Sequence, residues 1–313
     1  MAARERFALG ADLGAMKISI GRDAAVAAAL STIVVDGVAG VQANAAAVAA
    51  SADAEHLHQL RVGLRRLRSA LALFKRFAQA PAHVRDELRG SARQLGQARD
   101  AEVLAQETLA RVPVPVNLAN EWALLRGAAA AAAATARQQA VDTLREPRHL
   151  RWQLALLGWV HSLADEDESL TTGPMQVPSE APARPPLEGM PGRELRRLRK
   201  GLINSGRHLR GPDAAARHRV RIAAKKLRYA TEFFATLYQP KASTPFIRSM
   251  AALQDELGSL NDAEVATDLL HRLAAGSPAL AAAAGYAQGW LAADASQRVR
   301  WLGKLWKRAR RDL

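Results

Sequence analysis

Apolar residues recur every three or four positions along most of this chain, the spacing of one buried helix face. Leu57, Leu60, Leu64, Leu67, Leu71 and Phe74 show it most clearly. Read this way, helices are predicted over 24–51, 56–79, 84–111, 118–145 and from 147 to the acidic run at 165–168. Others follow over 193–210, 213–238, 244–274 and 278–311. Pro81, Pro113, Pro115 and Pro147 punctuate the first group. Between residues 173 and 191 lie Pro174, Pro178, Pro182, Pro185, Pro186 and Pro191, too dense for helix or sheet, so 169–192 reads as an extended linker. No run alternates as a strand would, β-branched residues are sparse and Ala is abundant, so the fold class is all-α. The Ala-rich tract 127–134 is helix-compatible and reads as a tight helix contact. The expected organisation is a tail (1–20), a first helical half (21–168), the linker (169–192) and a second half (193–313).

Residues 24–50 are the most apolar stretch, but they hold Asp36, Gln42 and Asn44 and much alanine, which suits a packed helix better than a spanning one. The first residues carry charge without an apolar run, so no export signal is expected. Within 313 residues, 49% are hydrophobic and only 5% aromatic, enough apolar content to exclude a disordered chain and to predict an Ala/Leu/Val core. The absence of Cys excludes disulfides, iron–sulfur clusters, thiol nucleophiles and Cys-based zinc sites, and fits a cytoplasmic protein. Charge changes the picture most. A net charge of +14 points to a polyanionic partner: nucleic acid, an anionic membrane or a phosphate polymer.

The linker divides an internal repeat. His58–Phe74 (HQLRVGLRRLRSALALF) and His218–Phe234 (HRVRIAAKKLRYATEFF) share six identities in seventeen positions, and Arg65 and Arg66 are answered by Lys225 and Lys226. LGQARDAEV from Leu95 and LGSLNDAEV from Leu257 share six in nine. The two offsets, 160 and 162, agree, so a helical unit was duplicated and the halves are expected to pack about a pseudo-twofold axis.

Beside the first apolar stripe, about 100° around the helix, lie His58, Arg61, Arg65, Arg68 and Arg76, with Arg66 elsewhere on the cylinder. No Asp or Glu occurs from residue 56 to 85, so repulsion along the helix is not offset within it. His218, Arg221, Lys225 and Arg228 repeat the stripe, with Lys226 nearby. Arg193, Arg196, Arg197, Lys200 and Arg207 add a basic face to the preceding helix, and Arg300, Lys304, Lys307, Arg308 and Arg311 one to the last. A solvated basic face explains any single run. Two matched runs favour paired ridges forming a groove or channel in which Arg forks and Lys point charges meet phosphate oxygens.

HxxRVxxRRLRxxLxLF and HxxRIxxKKLRYxxEFF, each followed by LGxxxDAEV, resemble the signature of CHAD domains (conserved histidine α-helical domain) over about 20–313. The resemblance implies two antiparallel four-helix bundles related by pseudo-symmetry, with motif helices lining a central basic pore that binds inorganic polyphosphate. It also implies association with polyphosphate granules. It assigns polyphosphate contacts to His58, Arg61, Arg65, Arg66, Arg68, His218, Arg221, Lys225, Lys226 and Arg228. Arg76, Arg99, Arg196, Arg197, Lys200, Arg207, Lys304 and Lys307 are further candidate contacts. The triphosphate-tunnel (CYTH) domain that precedes many members is not expected. Arg99–Asp100 matches the family's RD pair, but the second copy has Asn261–Asp262, which argues against a symmetric role for Arg99.

No catalysis, metal or cofactor is expected. Asp100/Glu102 and Asp262/Glu264 are i,i+2 on a helix and point apart, as are His56 and His58; His149 and His161 lack partners at ligand spacing; no phosphate-binding glycine loop is present. The recurring carboxylates are expected to pair with motif Arg residues or cap helices. His58 and His218 are open to three readings: phosphate contact, structural side chain or phosphocarrier. Inorganic polyphosphate is the first partner because the motif stripes offer few aromatic stacking surfaces. Nucleic acid is second, on the strength of Trp290, Trp301 and Trp306 among basic residues, although these are expected to pack the last helix against its bundle. A helical scaffold with a docking linker is third. No membrane partner is expected.

Overall fold

The computed structural model describes residues 20–21, 24–114, 116–168, 187, 189–209, 213–237 and 240–312. The expected tail lies almost wholly outside them, as does most of the linker. Among the described residues the secondary structure is helical, with nine α-helices longer than one turn: α1 (Val26–Ala50), α2 (Ala54–Phe74), α3 (Ala82–Glu102), α4 (Ala119–Arg145), α5 (Pro147–Glu168), α6 (Met190–Ser205), α7 (Ala214–Phe233), α8 (Pro240–Ala274) and α9 (Pro278–Asp312).

Local chemistry sets several boundaries. The Asp53 carboxylate accepts the Glu55 N–H at 2.9 Å and caps α2, and Asp213 does the same for α7 through Ala215 at 2.8 Å. The second helix stops at Phe74, short of the expected 79, where the Phe77 N–H turns back to the Phe74 carbonyl at 2.8 Å. The run expected to be one helix to 111 changes pitch instead: α3 passes into a π-helical segment, Val103–Thr108, before a last turn, Leu109–Arg111. α6 starts earlier than 193, with Pro191 in the first turn, where its missing N–H costs nothing. It ends in a 3-10 turn, Gly206–His208.

The described residues fall into two compact units, each drawing on both repeats. One comprises those within 1–92, 146–192 and 232–238. In it α1 packs on α2 and α5. The predicted stripe of α2 is its core: Leu57, Leu60, Leu64 and Phe74 are fully buried, with Leu67 and Leu71 nearly so. Phe74 meets its repeat equivalent Phe234 with ring centroids 6.1 Å apart. Gly37 of α1 lets Leu67 approach so closely that an added Cβ would sit 2.6 Å from Leu67 Cδ2. α1 is long and apolar enough to cross a membrane by length and composition, and half of its most apolar window is buried within the protein.

The other unit comprises the described residues of 93–145, 193–231 and 239–313. α8 and α9 form an antiparallel pair whose turn uses Gly276 at φ 78°. One core joins Leu202, Val220, Leu227, Leu257, Leu302 and Trp306. A second joins Leu104, Trp122, Leu125 and Ala129 to Leu270, Ala283, Ala284 and Ala287. The Ala-rich tract is therefore helix and contributes Ala129 to a close contact.

Candidate anion-binding faces

α2 carries its cations beside the buried leucine stripe. His58, Arg61 and Arg65 are half-buried, and Arg68 and Arg76 are exposed. Arg66 is different: it is buried, its Nη1 lies 3.5 Å from Glu232 Oε2, and its guanidinium sits 5.8 Å from the Phe233 ring centroid. Arg68 is exposed, yet partial desolvation and the neighbouring Arg89 guanidinium lower its pKa below the usual arginine value. Two like charges face each other there, which an anion would relieve.

On α7, His218 and Lys226 are exposed, and Arg221, Lys225 and Arg228 are half-buried. The Arg228 guanidinium lies 5.4 Å from the ring centroid of Tyr229. Arg217, His218 and Arg221 line a small open pocket with Ala214 on α7 and with Leu257, Leu260, Asn261 and Glu264 on α8. Arg221 Nη1 donates to Asn261 Oδ1 at 2.9 Å, and Arg217 Nη2 lies 3.3 Å from Glu264 Oε1. The two duplicated motifs of the second half thus meet at one place. Asp262 stands beside it. Burial raises its pKa above the ordinary carboxylate value, Arg221 and Lys225 oppose the rise, and its repeat equivalent Asp100 adds to it.

The repulsion that α2 does not offset within itself is offset in part from other segments, and so is that of α7. Glu232 offsets Arg66, and Glu264 and Asp262 face α7 cations. His58, Arg61, Lys225 and Arg228 also have partners within the protein. The recurring carboxylates behave differently in the two copies. Glu264 and Asp262 face the cations of α7 as expected, whereas Glu102 is buried and bound to Arg137 at 2.6 Å and Arg99 at 3.6 Å. Arg99 also holds Glu107 at 2.6 Å, so the Arg99 and Asn261 positions have diverged. Arg197 is tied to buried Glu194 at 2.7 Å, whereas Arg196, Lys200, Arg207, Lys304 and Lys307 are exposed. Among the described residues, no three His, Asp or Glu side chains are grouped to hold a metal ion.

Sequence reasoning missed Arg217, Glu232 and Arg89. Arg217 precedes the aligned block by one residue, and its counterpart at the repeat offset is buried Leu57, so comparing the copies hides it.

The CHAD domain family model matches residues 33–271. This chain belongs to the CHAD domain family. The CHAD domain from the plant Ricinus communis shares 34% identity and superposes with a TM-score of 0.83, covering 94% of this chain and 95% of that one. PptA from Streptomyces chartreusis shares the fold at 20% identity, with a TM-score of 0.62 over 91% of this chain and 99% of that one. No curated protein matches. In this CHAD chain, the histidine and basic residues of both motifs lie on α2 and α7.

Proposed function

We propose that this CHAD protein binds inorganic polyphosphate without catalysis, through the basic faces of α2 and α7, and is thereby held at polyphosphate granules in the cytoplasm. The carrying observation is the α7–α8 pocket, where Arg217, His218 and Arg221 converge. Guanidinium forks there present several N–H donors to phosphate oxygens. One acceptor for Arg221 is the neutral amide of Asn261, which orients the fork and adds no negative charge. A chain of phosphates without bases asks for no more than such donors and a positive field. The pseudo-twofold pair of bundles and the basic pore implied by the family belong to this proposal.

The test is a titration with polyphosphates of several lengths against RNA at matched phosphate concentration, for the native chain and for Arg61→Ala/Arg221→Ala. Long polyphosphate should bind with a steep salt dependence and displace RNA. The double variant should fold normally and bind at least tenfold more weakly. Undiminished binding by the folded double variant, or RNA outcompeting polyphosphate, refutes the proposal.

A further inference from the structure

α9 buries Leu302, Trp306 and Ala309 but leaves Trp301 59% exposed. Packing therefore accounts for Trp306 and not for Trp301, against the expectation that these tryptophans dock the last helix. They are five residues apart, about 140° around the helix, so they cannot share a face. A lone exposed aromatic needs no explanation. Here its surroundings supply one. The Lys304 ammonium lies 4.3 Å from the Trp301 ring centroid. Arg300, Lys304, Lys307, Arg308 and Arg311 are all exposed. By helical geometry they fall within an arc of about 100° bordered by Trp301, over about 17 Å of helix.

The same helix shows what a structurally paired cation looks like. Arg298 is held by Asp294 at 2.7 Å and by Glu256 at 3.3 Å. Among the described residues, none of the five outward cations has an ion-pair partner. Inorganic polyphosphate would satisfy such a row but gain nothing from an indole. An anionic lipid surface would want several apolar side chains beside the cations, yet Val299, Leu302 and Leu305 pack against the core. In a duplex the base faces are stacked on each other. Unpaired bases have a face to offer, and a positive track with an aromatic platform is how proteins hold single strands.

We infer that the C-terminal part of α9 is a second anion site, specific for single-stranded nucleic acid, in which Trp301 stacks on a base and Arg300, Lys304, Lys307, Arg308 and Arg311 follow the phosphates. Lys304 caps one face of the indole, and a base takes the other. The polyphosphate reading shares Lys304 and Lys307 as further candidate contacts but assigns no role to the indole, so Trp301 distinguishes the two.

The experiment measures binding of the full chain to a fluorescent 12-nucleotide oligo(U), to long polyphosphate and to phosphatidylserine-containing vesicles, for the native protein, Trp301→Ala and Lys304→Ala/Lys307→Ala/Arg308→Ala. Trp301→Ala should weaken oligo(U) binding about tenfold, within the range for one stacked base, and change polyphosphate binding less than twofold. The triple variant should weaken oligo(U) binding and lower its salt dependence. Trp301→Phe should restore most of the loss, separating stacking from folding. The inference is overturned if Trp301→Ala leaves oligo(U) binding unchanged, if it weakens polyphosphate equally, or if vesicles bind through Trp301 and oligo(U) does not. Failure of native polyphosphate binding would sink the previous proposal and leave this one standing.

Discussion

Arg66 and Arg68 are neighbours in one motif, and the structure gives them opposite surroundings. Arg66 is 8% exposed and ion-paired at 3.5 Å with Glu232, whose side chain is 32% exposed. Breaking a fully buried pair costs about 3–5 kcal/mol because the remaining charge is stranded. Water still reaches Glu232, so the loss here should be smaller, about 2 kcal/mol. The contact with Phe233 adds roughly 0.5–1 kcal/mol. Arg66→Met keeps the aliphatic packing and removes the charge, and should cost about 2–3 kcal/mol. For a cooperative unit of this size, each kcal/mol lowers Tm by about 2–4 °C, so the melt should fall by about 4–12 °C. Arg68→Ala removes an exposed charge beside Arg89, so Tm should stay within about 2 °C of native or rise. Binding should show the reverse order. Arg68→Ala should weaken polyphosphate binding about tenfold, the scale of one charge-assisted contact, and reduce the salt slope by about 0.7. Arg66→Met, assayed well below its Tm, should bind within about twofold of native. Differential scanning fluorimetry and salt-titrated anisotropy on both variants decide it. An Arg66→Met protein that melts like the native chain but binds tenfold more weakly refutes the assignment of Arg66 to structure.

Two further predictions follow from buried titratable groups. Asp262 competes with a bound anion for Arg221 and Lys225, so Asp262→Asn should tighten polyphosphate binding about two- to fivefold near pH 7 by isothermal calorimetry. A bound polyanion raises the Asp262 pKa further, so binding takes up protons and strengthens as pH falls toward its already raised range; the variant should lose that pH dependence. His149 is 5% exposed, neither ring nitrogen has a hydrogen-bond partner among the described residues, and burial lowers its pKa below 6.5. The unfolded chain then takes up the proton first, so stability falls as pH drops below 6.5. His149→Phe keeps an aromatic ring against Trp152 and should raise stability by about 1 kcal/mol. It should also flatten Tm against pH between 7 and 5, and parallel profiles would contradict this.

The helices were legible because their information is local. Leu57 to Phe74 recur at the helical period, and that stripe is the core. Arg66 was not legible in the same way. The buried arc of α2 extends past Phe74 through Ala70 and Leu73 to Arg66, and the segment pairing with Arg66 begins at Glu232, more than 160 residues away. A periodicity argument sees one helix and cannot tell which second surface will cover its flank. Trp301 was legible and misread, because the spacing from Trp306 already placed the two on different faces. The π-helical turn after Glu102 could not be foreseen, since nothing in VLAQET distinguishes it from ordinary α-helix.

Duplication made two cationic helices, but their partners have diverged in a direction that matters for anions. In the first copy Arg99 is neutralised by Glu102 and Glu107. In the second, asparagine stands at the equivalent place and receives Arg221 through a neutral acceptor. A carboxylate there would lower the free energy of the unliganded protein by the same interaction a phosphate must later displace. An amide fixes the guanidinium at smaller electrostatic cost to the ligand. Asp262 is an internal competitor for Arg221, and burial raises its pKa above the ordinary carboxylate value, which weakens its hold on the negative charge. Under the proposed polyphosphate reading, the asparagine that replaces the arginine of the RD pair orients Arg221 and adds no negative charge for the anion to displace.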